Sequence, residues 1–112
     1  MAGVYSTRFF LIHDLNGVVD YLVPPGKTAV VRDLEATNLD DTKPNVGIGW
    51  YGAYPPGGAP QGLWLVFLQM PATNPATLSW HGRLVYPAGE TIRVFSGAHV
   101  DTSISGYLLN SA

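Results

Sequence analysis

A chain of 112 residues can enclose one hydrophobic core of ordinary size but not two, so its function must sit on or beside a single domain spanning 1–112. Only 12% of its residues are charged, against ~25% in a typical soluble domain, which leaves a neutral surface suited to burial against neighbouring subunits. The net charge of −2 comes with six basic residues scattered singly, so no basic stripe exists to follow a phosphate backbone, and direct nucleic-acid binding is not expected.

Thirteen glycines and nine prolines leave no room for a long helix, and apolar residues recur at spacing two within short segments, the pattern of half-buried strands. Eight strands are predicted. The first, 4–13, is partly apolar on both faces; its run Phe9 to Ile12 is shorter than the ~7–15 residues of a signal-peptide core. Asn16-Gly17 then separates it from a strand at 17–23, and Pro24-Pro25-Gly26 turns the chain into a third at 28–37. Asp40-Asp41, with Lys43-Pro44-Asn45, reads as a turn held by Asx hydrogen bonds; calcium would need more oxygen ligands than this stretch offers. Strands at 46–53 and 63–70 flank a Pro/Gly-rich loop. The run Leu63 to Leu68 is the longest apolar one and far below the ~20 residues of a membrane span, so a soluble chain made without export is expected. After Pro71 to Pro75 comes 77–86, whose Trp80, Leu84 and Tyr86 share one face while Ser79, His81 and Arg83 share the other. Pro87-Ala88-Gly89 leads to 91–97. Ser96-Gly97 separates that strand from 103–109, apolar on both faces and therefore central or covered by a partner. Such even spacing predicts an all-β fold, a single-domain antiparallel β-sandwich of jelly-roll type. A parallel α/β sheet is excluded, because its crossovers need a dozen residues or more.

Gly26-Lys27-Thr28 has the tail of a phosphate-binding P-loop, G-x-x-x-x-G-K-[ST], but the position five before Gly26 is Tyr21. The loop would also have to open a helix facing the phosphate, whereas TAVVRDLEAT continues at strand spacing. Moreover, YLVPPGKTAVV at 21–31 aligns with LVYPAGETIRV at 84–94, with Glu90 where the first copy has Lys27. A turn repeated with either sign of charge is used for its backbone, so Pro24, Gly26, Pro87 and Gly89 are structural turn residues, and Lys27 and Glu90 are expected to face solvent or an interface. No nucleotide cofactor is implied.

His13, His81 and His99 stand apart, with no H-x-H pair and no carboxylate at ligand spacing, so neither a metal site nor a shared role is expected. No cysteine is present, which excludes disulfides and thiolate ligands. No serine sits on a G-x-S-x-G elbow, and catalysis has no sequence support. The aromatics are more suggestive: Trp50, Tyr51 and Tyr54 run into Pro55 and Pro56, with Trp64 beyond the loop. These six residues are the candidate interface or ligand contacts, able to dock a protein neighbour or stack on sugar rings. The alternative places Trp50 and Trp64 in the core on two strands of one hairpin, an assignment we adopt here, leaving loop 52–62 as the contact surface.

The segments MAGVYSTRFF, VPPGKTAVVRDL, SWHGRLVYPAGETIRV and the terminal SGYLL together resemble small virion proteins of tailed bacteriophages that infect actinobacteria. The resemblance covers most of the chain apart from the Pro/Gly loop, and rests on strand and turn patterns. It implies a non-enzymatic structural protein, made in the host cytoplasm and assembled into the virion as a minor tail protein or, alternatively, a capsid decoration protein. Its implied partners are copies of itself, as a trimer for a decoration or tip subunit, and other virion proteins, with no cofactor, membrane or nucleic acid. A carbohydrate-binding module that adsorbs to host-surface glycan is the rival from another class.

Overall fold

The computed structural model describes residues 4–39, 41–53, 57–71 and 76–110, excluding the side chains of Val4 and Tyr5. They form six strands: β1 (Val4–Leu22), β2 (Lys27–Asn38), β3 (Asn45–Ala53), β4 (Pro60–Gln69), β5 (Ala76–Tyr86) and β6 (Thr91–Asn110). All pairings are antiparallel. The eight predicted segments reduce to six because β1 takes up the first two and β6 the last two. Asn16-Gly17 and Ser96-Gly97 are therefore not hairpin turns. The β1–β6 ladder runs past both, with register shifts between Ile12 and Leu15 and between Leu15 and Gly17, and with Asp14 at φ 62°. A bulge bends a strand without ending it.

The length of β6 shows that the bend is large. Twenty residues of straight strand would span ~66 Å, yet the longest extent of the molecule is 45 Å. Leu22 pairs with Thr91 and Lys27 with Asn110, so a connection of four residues, whose five Cα–Cα steps reach at most ~18 Å, brings the two ends of β6 together. One continuous sheet thus folds into two facing layers. The lower layer is β1 (4–15), β6 (100–110), β2 and β5; the upper is β1 (17–22), β6 (91–96), β3 and β4. The protein is an antiparallel β-sandwich, jelly-roll-like in that its two longest strands serve both layers. As both faces of its C-terminal strand suggested, β6 is central, with partners on each side.

The core lies between the layers. Leu34, Ala36 and Ile104 from below meet Val46, Ile48, Ile92 and Val94 from above, all buried. Alternation in β5 is as read from the sequence: Tyr86 is buried and Trp80 and Leu84 pack on the core, while Ser79, His81 and Arg83 are exposed. Tyr86 crosses between layers, its hydroxyl donating to the Gly49 carbonyl at 2.9 Å. At the far end, buried Asn38 donates to the carbonyls of Thr42 and Pro71, tying β2 to the chain after β4.

The two Pro-x-Gly turns are structural equivalents. Lys27 N–H donates to Pro24 O and Glu90 N–H to Pro87 O, each at 3.2 Å, with Gly26 at φ 75° and Gly89 at φ 85°. Proline cannot take positive φ and Ala88 does not, so both are type II turns, which need glycine at the third position. One carries the chain from the upper layer to the lower and the other from lower to upper. They lie side by side: Val23 N–H donates to Glu90 O at 2.9 Å and Gly89 N–H to Val23 O at 3.0 Å. Thr28 continues a strand and starts no helix. Neither charged residue is simply solvent-facing, since Lys27 Nζ donates to the Asn110 side chain and Glu90 accepts from Trp50 Nε1 at 2.5 Å.

Candidate interaction surface

The outward faces of the two layers differ in kind. Register places three rows across the upper one: Val18, Phe95, Gly47 and Phe67; Asp20, Arg93, Gly49 and Trp64; Leu22, Thr91, Tyr51 and Gly62. Glycine at 47 and 49 removes the side chains that would stand between β6 and β4. A Cβ at Gly49 would lie 2.9 Å from Trp64 Cε3, and one at Gly47 would lie 3.0 Å from Phe67 Cδ1. The two aromatic rings of β4 therefore lean over β3 and reach Phe95, at centroid distances of 5.6 Å for Trp64 and 6.1 Å for Phe67. Phe67 and Phe95 are stacked, with 11° between their planes.

This aromatic cluster stays open to solvent: Trp64 is 46% exposed, Phe67 49%, Val18 49% and Leu22 63%. Its one ion pair is closed on itself. Arg93 donates from Nε and Nη2 to the two Asp20 oxygens at 2.7 and 2.8 Å, and its guanidinium lies 4.5 Å from the Tyr51 ring centroid. That hydrogen-bonded guanidinium holds the Asp20 carboxyl below its ordinary value, and the Asp20 hydrogen bond raises Arg93 in turn.

The lower outward face mixes polar rows with exposed Leu11, Val85 and Tyr107. Ser103, Glu35 and Ser79 form one row and Asp101, Thr37 and Thr77 the next, above a groove of about 480 Å³ that Leu11 and His13 border. Each of the chain's three histidines meets an aspartate on a neighbouring strand: His13 with Asp101, His99 with Asp14 and His81 with Asp33, every Nδ1 to Oδ1 distance being 2.6 Å. Spacing along the chain gave no sign of these pairs, because the partners sit across strands. All three histidines are exposed, and among the described residues no group of three His, Asp or Glu side chains converges as a metal site requires.

The predicted contact residues separate into three sets. Trp50 points inward, half-buried against the core, as expected. Trp64 does not share that position. The register shift between Ile48 and Gly49 sets Trp64 opposite Gly49 and onto the outer face, so its assignment to the core is corrected. Tyr51 lies on the same outer face, beneath Arg93. Tyr54, Pro55 and Pro56, like Asp40, fall outside the described residues. The sequence reading missed Phe95, Val18 and Leu22, whose common face with Trp64 and Phe67 becomes visible only when β1, β6, β3 and β4 are laid in register. Compared with known proteins, the chain matches no family model and no curated sequence.

Proposed function

We propose that this chain is a non-enzymatic structural subunit of a bacteriophage particle, a minor tail protein that assembles through protein–protein contacts. The phage context comes from the sequence resemblance. The observation that carries the assembly role is the upper outward face, where Val18, Leu22, Trp64, Phe67 and Phe95 cluster around a closed ion pair, whereas the lower face sets its exposed Leu11, Val85 and Tyr107 among polar rows. Water solvates the polar rows well, while a neighbouring protein would relieve the apolar cluster. The test is quantitative mass spectrometry of purified particles from a phage encoding this chain, with immunogold labelling to separate tail from head. A fixed copy number on the tail is expected; labelling of the head would move the subunit to capsid decoration, and absence from particles would overturn the proposal.

One observation favours glycan binding as a second reading. A hollow of about 210 Å³ lies among Trp50, Gly62, Leu63, Trp64 and Arg93, where a half-exposed indole adjoins a cation. Binding to host cell-wall glycan, abolished by Trp64→Ala with the fold intact, would support it; no binding to such glycan would dismiss it.

A further inference from the structure

We infer that β4 is the strand at which two copies of this chain pair, antiparallel across a twofold axis, with their upper outward faces adjoining. The inference rests on the assembly reading above and names the place where copies meet.

The sandwich has three edges, and their sequences differ in how they deter pairing. Edge strands of monomers carry charges, bulges or prolines that keep other strands away. The edge strand β1 carries Arg8, His13, Asp14 and Asp20, with three register irregularities, and β5 has His81 and Arg83. In contrast, β4 reads PQGLWLVFLQ without a charge, within a stretch from Pro44 to Gly82 that contains no Asp, Glu, Lys or Arg. Its single bulge, at Leu65, leaves regular arms on either side. Most of its large side chains are exposed, irrespective of face: Leu63 58%, Trp64 46%, Leu65 45% and Phe67 49%. Apolar residues on both faces are the pattern of a strand covered on both sides, yet β4 lies at the end of the strand order.

Charge and area select the occupant. With no net charge on this edge, two identical edges meet without repulsion, and a charged partner finds nothing to complement. The four β4 side chains along this edge expose roughly 300–500 Å² together, if a large side chain presents ~150–250 Å² when bare. That edge alone matches the largest patch of a typical monomer. With backbone pairing and a polar rim it approaches the ~800 Å² per partner of a stable interface. Antiparallel pairing of a strand with itself is isologous, so it closes at two copies.

Sedimentation equilibrium from micromolar to millimolar concentration tests this, using the wild-type chain, Leu63→Lys and Leu65→Lys, and Thr77→Lys on the β5 edge as control. The wild type and Thr77→Lys should dimerise alike, and each β4 variant should associate at least ~100-fold more weakly, since like charges brought together cost several kcal/mol. A monomeric wild type, β4 variants that dimerise as the wild type does, or equal loss in Thr77→Lys would overturn the inference. Should a lysine variant fail to fold by circular dichroism, hydrogen exchange of the wild type decides: those amides of 61–69 that point away from β3 should be protected in the dimer and not on dilution. The two readings fail separately. A monomer found in purified particles removes self-pairing and leaves the virion reading, whereas a dimer absent from particles does the reverse.

Discussion

Gly49→Ala probes the packing that gives the upper face its character. The added Cβ would stand 2.9 Å from Trp64 Cε3, 3.0 Å from Cζ3 and 2.9 Å from the Leu63 carbonyl oxygen. The indole can swing outward, but the carbonyl belongs to the β3–β4 ladder and can retreat only by opening it. Trp64 is slightly more than half buried, so displacing a side chain of ~250 Å² returns about 130 Å² to water, worth ~3 kcal/mol at ~25 cal/mol per Å². Removing a glycine from a strand restores ~0.5–1 kcal/mol through the unfolded chain. The net loss is therefore about 2 kcal/mol, or a fall in Tm of roughly 8 °C for a domain of this size. Urea unfolding followed by tryptophan fluorescence measures it, and the native emission should shift to the red as Trp64 becomes wetter. Gly62→Ala is the control on the neighbouring strand: its new Cβ would meet nothing nearer than 3.7 Å, so stability should stay within ~0.5 kcal/mol or rise. Equal stability of Gly49→Ala and the wild type would refute this account of how β4 is seated.

The paired corner turns predict that Gly26→Ala and Gly89→Ala cost about the same, ~1–2 kcal/mol each in chemical denaturation, because both force a side chain into positive φ. Ala88→Pro should instead stabilise by ~0.5–1 kcal/mol, since it copies Pro25 into the equivalent position of a type II turn. Tyr86→Phe leaves the buried Gly49 carbonyl without its donor and should cost ~1–2 kcal/mol at neutral pH. Burial and then the nearby Glu90 raise the Tyr86 phenol above its ordinary value. Its contribution is therefore complete below pH ~10 and is lost as pH rises through the raised folded value, so wild type and variant should converge in alkaline unfolding curves. Asp20→Asn acts in the opposite pH range. The folded carboxyl is lowered, so the pair's contribution is present above the ordinary Asp value of ~3.9 and is lost as pH falls through the folded value. With the Asp20 side chain 41% exposed, solvent screening limits the difference at pH 7 to ~0.5 kcal/mol, and acid titration of stability should close it.

Strand positions, turn residues and the facing of β5 were legible in the sequence, because each is set within a few residues. Apolar period two identifies a strand, and Pro-x-Gly fixes a turn by its own dihedral limits. Strand continuity was not. Asn16-Gly17 has the composition of a hairpin turn, yet a hairpin there would return the chain along itself, whereas β6 holds partners for both halves of β1. The competition is between a local turn preference and cross-strand pairing that runs from Val4 to Leu22, and the ladder prevails by turning the signal into a bend. The His–Asp pairs escaped for the same reason, since His13 and Asp101 are neighbours only through that ladder.

The case of β4 shows the limit most plainly. In Leu63-Trp64-Leu65-Val66-Phe67-Leu68 every residue is apolar, so alternation carries no information about which side faces the core. One inserted residue at Leu65, fixed by pairing with Ile48 and Gly49, decides that Val66 turns inward and Trp64 outward. What the sequence did convey was the scarcity of charge, and topology gives that scarcity a location. The chain keeps its charges on β1, β2, β5, β6, the turn at Glu90 and the segment before β3, so that the free edges of β1 and β5 carry charge, and has none on β3 and β4. A hairpin left wholly without charge at one edge is not what general solubility requires. It is what a strand requires if it is an edge in the monomer and an interior strand in the assembly.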